Sequence, residues 1–154
     1  MSNYNDKKSP SKGWNKPQDS TQHIDLSKLI LKPAEGQALD PELFSAIAKE
    51  VAVVIAGPER HRPNAPTQIR KFYDEIVMWD EKVRQDKKKL PEYLPFIRML
   101  NAKASYAKGR SHVDLNFVQL IEKGVSQIEC EKTMSNFKYF FEAFVGYYKL
   151  IRSK

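Results

Sequence analysis

The chain holds a single cysteine, Cys130, which excludes a disulfide scaffold and a four-cysteine zinc site and fits a reducing cytoplasm. With no His or second Cys near it in sequence, it reads as a buried or inert thiol. Long apolar runs are missing as well. The N-terminus has no signal-peptide core, and no stretch approaches the ~20 apolar residues of a membrane span. A soluble, cytoplasmic protein without membrane contact is expected. The three histidines, His23, His61 and His112, have no second His or Cys at helical ligand spacing, so no metal and no cofactor is expected. Gly-x-Ser-x-Gly, a Walker lysine and a Gly-rich phosphate loop are also lacking. No segment alternates polar and apolar residues over a strand's length, and no Asn-Gly or Asp-Gly hairpin turn occurs.

What is present is charge, concentrated in one third of the chain. Between Arg60 and His112 thirteen cations face six carboxylates, a surplus of +7 that equals the formal net charge of all 154 residues. Residues 40–59 carry −3 and the remaining pieces nearly cancel. A field concentrated this way raises the local concentration of a polyanion and steers its approach. A nucleic acid is therefore the expected partner.

Helical periodicity organises the rest. Residues 1–22 are polar with a lone Trp14 and read as disordered. Ile24, Leu26, Leu29, Ile30 and Leu31 follow before Pro33, a short apolar segment suited to docking on the chain's own core or on a neighbour. Asp40-Pro41 reads as an N-cap and first helical proline, with Leu43, Ile47, Val51 and Val54 as the buried stripe up to Gly57-Pro58. A basic loop, Glu59 to Pro66, follows with two prolines, Pro63 and Pro66, and is preceded by Pro58.

The second helix starts near Thr67, buries Ile69, Phe72, Tyr73, Ile76 and Val83, and frays over Asp86 to Lys89. Pro91 opens a third, with Ile97, Leu100, Ala104 and Ala107 inward and Gly109 as a left-handed stop. A fourth runs from about Asp114 with Leu115, Val118, Ile121, Val125 and Ile128 inward. The last spans about Glu131 to Arg152, with Phe137, Phe140, Phe141, Phe144, Tyr148 and Ile151 three or four apart. The fold class is all-α: a compact bundle of about five helices over residues 40–154, preceded by a polar, mostly disordered tail over 1–39.

Two basic patterns stand out. In Thr67-Gln68-Ile69-Arg70-Lys71-Phe72-Tyr73 the polar residues project from a helix start, whose unpaired N–H groups favour a phosphate. Arg70 and Lys71 could equally pair with Asp74 and Glu75, one turn on. In Lys103-Ala104-Ser105-Tyr106-Ala107-Lys108-Gly109-Arg110, residues 103, 106 and 110 share one helical face within about 60°. Two cations flanking a tyrosine can hold a phosphate and offer a stacking surface. Tyr106 could also be a half-buried core tyrosine. Lys87, Lys88 and Lys89 read as a solvated helix end.

Taken together, these residues resemble the small-subunit family of type III-A CRISPR interference (Csm) effector complexes. The likeness rests on Gln68-Ile69-Arg70-Lys71-Phe72-Tyr73, on Lys103, Tyr106 and Arg110, and on the aromatic closing helix, and it covers roughly residues 40–154. Gly109 departs from the helix-favouring residue usual in the family. The resemblance implies a non-catalytic, all-helical subunit of an antiviral ribonucleoprotein. Such subunits stack head to tail with their own copies, lie against the guide RNA–target RNA duplex, and contact backbone and large subunits. It makes Gln68, Arg70, Lys71, Lys103, Tyr106 and Arg110 the expected RNA-facing residues. Charge and loop placement alone add Arg60, Arg62 and Lys108. Stacking needs two different surfaces, and the acidic Glu42, Glu50 and Glu59 could meet a basic patch on the next copy.

Competing classes make their own demands. A helix-turn-helix DNA-binding regulator would use the turn at 109–113 and read bases with Asn116, Gln119 and Lys123. A helical adaptor would dock protein alone. A small helical ribonuclease of the HEPN kind needs an Arg followed by four to six residues and a His, whereas Arg110-Ser111-His112 is too tight.

Overall fold

The structure, a computed structural model, describes residues 22–58 and 63–153. The described residues form five α-helices: α1 (Ala48–Ala56), α2 (Pro66–Gln85), α3 (Leu90–Gly109), α4 (Leu115–Ser126) and α5 (Glu131–Arg152). Among the described residues there is no strand. α5 lies at the centre, packed on α1 and α2, while α3 and α4 form a second closely packed pair. Its bounds and buried face are those the spacing predicts: Phe137, Phe140, Phe141, Phe144 and Tyr148 are all buried. The Phe141 ring alone meets Tyr73, Phe117, Phe137 and Phe144, with centroids 5.1–6.4 Å away. α4 comes so close to α5 at Gly124 that a Cβ there would run into the Phe137 ring.

Four details differ from the sequence reading. The first helix is entered not at Asp40-Pro41 but through a π turn, Leu43–Ile47, closed by the Ile47 N–H donating to the Glu42 carbonyl at 3.0 Å. The wide turn advances the phase of the helix. Ala48, Val51, Ala52 and Ile55 are thus buried, and Val54 is only half-buried. In α4 the Asp114 carboxylate caps the Phe117 N–H, and Leu115 at the first helical position turns outward, 49% exposed, while Phe117 takes the core place. Gly109 is the last helical residue rather than the left-handed stop; that conformation falls to Ser111, φ 61°. Arg110 is the C-cap.

Cys130, finally, is exposed rather than buried, and it precedes α5 as its N-cap. Partial burial pushes its thiol up, but hydrogen bonds from Thr133 and the Lys132 backbone outweigh this and hold it below the usual cysteine range.

The apolar segment near 24–31 docks on the chain's own core. Leu29 and Leu31 are fully buried. Side-chain amides hold its backbone: Gln127 accepts from the Leu31 N–H at 2.8 Å and donates to the Leu29 carbonyl at 2.9 Å. Asn136 donates to the Leu31 carbonyl, and Asn116 bridges Ile24 N–H and the Gln22 carbonyl. Of the segment expected to be disordered, residues 1–22, all but Gln22 lie outside the described residues.

Asn64 is the joint that sets the site. It is fully buried, with φ 66°, in the left-handed region that asparagine tolerates better than most residues. Its Nδ2 donates to the Ile55 carbonyl at 2.9 Å, and its Oδ1 accepts from the Asp114 N–H at 2.9 Å. Its own N–H donates to the His112 carbonyl, and its carbonyl accepts from the Tyr148 hydroxyl. The end of α1, the start of α4 and the body of α5 are thereby tied together. The start of α2 is held beside the loop that ends α3.

Candidate nucleic-acid interface

That juxtaposition opens a groove of about 450 Å³ between the N-terminal half of α2 and the C-terminal half of α3. Gln68, Lys71, Phe72 and Glu75 line one wall, and Lys103, Tyr106, Ala107, Arg110 and His112 line the other. At about 100° per residue, Gln68, Lys71 and Glu75 share one face of α2, and Lys103, Tyr106 and Arg110 share one face of α3. Beneath the groove, Ile97, Leu100, Ala104 and Ala107 are all buried, as the spacing predicts. α3 packs closely on α4.

Five of the nine sequence-predicted residues therefore meet: Gln68, Lys71, Lys103, Tyr106 and Arg110. Tyr106 is not a core residue; it is 67% exposed. The Arg110 guanidinium lies 5.8 Å from its ring centroid and donates through Nη1 to its hydroxyl at 3.2 Å. A cation and an aromatic face are thus presented side by side.

Arg70 lies outside the groove, because two residues from Gln68 is the opposite side of the helix. Its Nε donates to Asp74 at 3.0 Å with both side chains well exposed, a pair worth little in solvent. Lys108 is exposed and also outside the groove lining. Arg60 and Arg62 fall outside the described residues.

The structure adds two polar residues that the sequence reading did not place here, Glu75 and His112. Glu75 was expected to pair with Lys71 one turn back. It accepts instead from Lys103 Nζ at 2.6 Å across the groove. Helical spacing cannot show this, since the two residues are 28 apart in sequence. His112 reaches the groove because its N–H closes the α3 terminus on the Ala107 carbonyl at 2.9 Å. The lysine run Lys87–Lys89 forms a separate exposed 3₁₀ turn at the far end of α2.

Other chemistry is sparse. Among the described residues no group of three His, Cys, Asp or Glu is placed to hold a metal ion, and no helix is long and apolar enough to cross a membrane. The buried Asp80 is engaged structurally, by the Ser135 hydroxyl at 2.7 Å and by Arg84 at 3.2 Å. Asn116, a base reader in a helix-turn-helix scheme, is buried and bonded to the 22–24 segment.

Neither the curated proteins nor the solved structures contain a match to this chain. A family model described as Csm2 Type III-A matches residues 38–154, well over half of the sequence. The all-helical bundle and the α2–α3 groove both lie within that span. The chain therefore belongs to the Csm2 Type III-A family, the small subunits of type III-A CRISPR effector complexes.

Proposed function

We propose that this protein is a non-catalytic RNA-binding subunit, which lays the α2–α3 groove against the sugar-phosphate track of the guide RNA–target RNA duplex in cytoplasmic antiviral defence. Residues 40–154 form the RNA-binding unit. The observation that carries this reading is the convergence of Lys71, Lys103 and Arg110 from two helices around the exposed ring of Tyr106. Three cations at one groove suit phosphates, and guide–target pairing supplies the sequence specificity that such contacts lack. Arg60, Arg62, Arg70 and Lys108 add general attraction around it. Cleavage would need a paired acid and base, and among the described residues no hydrogen bond pairs the groove's carboxylate with His112.

The test is binding of a short RNA duplex, followed by fluorescence anisotropy over a salt series. The Lys103→Ala/Arg110→Ala variant should bind at least about tenfold more weakly, with a salt slope shallower by about 2. Its melting temperature should stay unchanged, because both side chains are exposed. Equal affinity in the variant, or cleavage of the RNA by the wild-type chain, would refute the reading.

Self-stacking and contact with backbone and large subunits complete the proposal. The exposed Glu42 and Glu50 at the start of the bundle offer an acidic surface to a basic face of the next copy. Charge reversal at both positions should abolish co-assembly of several copies on a guide RNA with the backbone subunits; unchanged assembly would exclude these residues.

A further inference from the structure

One carboxylate stands among the groove's cations, and phosphate binding does not account for it. Glu75 is on the α2 wall with its side chain 21% exposed, and its Oε1 is bonded to Lys103 Nζ at 2.6 Å. Beside a phosphate path such a charge is repulsive and lowers affinity. An amide at this position would hold Lys103 without that repulsion. A carboxylate has about four lone-pair sites, and the bond to Lys103 occupies one. No described residue donates to its other oxygen. The groove therefore offers, next to three cations, an ionised acceptor with spare capacity and partial access.

An acceptor calls for a donor on the ligand. Phosphate oxygens only accept. Amino groups on base edges donate, but they change with sequence. The ribose 2′-hydroxyl is the donor that every RNA nucleotide carries, and DNA lacks it. In a groove whose other contacts ignore sequence, it is the matching group. Lys103 and Glu75, joined to each other, would then bind adjoining parts of one nucleotide, the ammonium on the phosphate and the carboxylate on the sugar.

We propose that Glu75 is the residue by which the groove distinguishes RNA from DNA, accepting a hydrogen bond from a ribose 2′-hydroxyl while Lys71, Lys103 and Arg110 hold the neighbouring phosphates. This rests on the RNA-binding reading above.

The experiment compares two duplexes of one sequence, with ordinary ribose or with 2′-fluoro sugars, which keep the A-form but carry no donor. The wild-type chain should bind the ribose duplex about fivefold more tightly, the effect of one good hydrogen bond. Glu75→Ala should bind both equally. Glu75→Gln, nearly isosteric and still an acceptor, should retain part of the preference, and it guards against loss of fold. Lys103→Ala should weaken both duplexes alike. Equal binding of the two duplexes by wild type, or a preference surviving in Glu75→Ala, overturns the assignment of Glu75 while leaving RNA binding intact. If neither duplex depends on Lys103 and Arg110, the RNA-binding reading itself falls, and this one with it.

Discussion

The aromatic cluster on α5 and the groove between α2 and α3 use similar residues in opposite ways. In the cluster, Phe137, Phe141, Phe144 and Tyr148 are buried, and each ring faces another at 5.1–6.0 Å. In the groove, Tyr106 is 67% exposed and its ring is met by a guanidinium at 5.8 Å. Side chains that satisfy one another hold the bundle together. Those left open to solvent on a rigid wall remain available to a ligand. The two regions meet through Phe72, which lines the α2 wall of the groove and packs at 5.0 Å on Phe117, itself 6.4 Å from Phe141.

If that division is right, the largest effect belongs to the cluster. Phe141→Ala removes the ring that contacts four others and should cost about 3–5 kcal/mol in denaturant unfolding. The folded fraction should still bind RNA with wild-type salt dependence. A large change in that dependence would show that the cluster also shapes the groove. Asn64, where the two regions are joined, comes next. Asn64→Ala leaves the Ile55 carbonyl and Asp114 N–H without their side-chain partner and should cost about 2–3 kcal/mol. Asn64→Gly loses the same bonds but accepts φ 66°, so it should be about 1 kcal/mol less damaging. Equal losses would mean that backbone strain contributes nothing.

A smaller effect separates two arginines of equal charge. Arg110→Ala should weaken RNA-duplex binding about tenfold, the scale of one good charged contact, while Arg70→Ala should change it less than about threefold. Both remove one charge, so long-range attraction falls equally; only the groove contact differs. Comparable losses would mean that position in the groove does not matter and that the field alone binds.

Much of this was legible in the sequence. The bounds of α5, its ring stripe and the buried side of α3 followed from spacing, since a strongly apolar face leaves one way to turn the helix. The shared face of Lys103, Tyr106 and Arg110 followed for the same reason. What spacing could not show was the relation between helices. Glu75 finds Lys103 because α2 and α3 run side by side, and no local rule links them. The π turn at Leu43–Ile47 shifted the register of α1 by hydrogen bonding that composition does not reveal. Asn64 lies between Pro63 and Pro66, in a loop that the sequence marks only as irregular, and the structure makes it the joint.

The smallest effect tests what the groove's aromatic ring is for. Tyr106→Phe keeps the face on which a base or sugar could rest and removes only the hydroxyl that accepts from Arg110 Nη1 at 3.2 Å. That bond is exposed and joins two exposed side chains, so its loss should alter RNA affinity less than about threefold. The stacking surface and the nearby guanidinium both remain. A loss of tenfold or more, matching Arg110→Ala, would show instead that the hydroxyl fixes the guanidinium in its phosphate-binding position. The tyrosine would then belong with the residues that serve other protein groups, like the rings of α5, and not with those left open to the ligand.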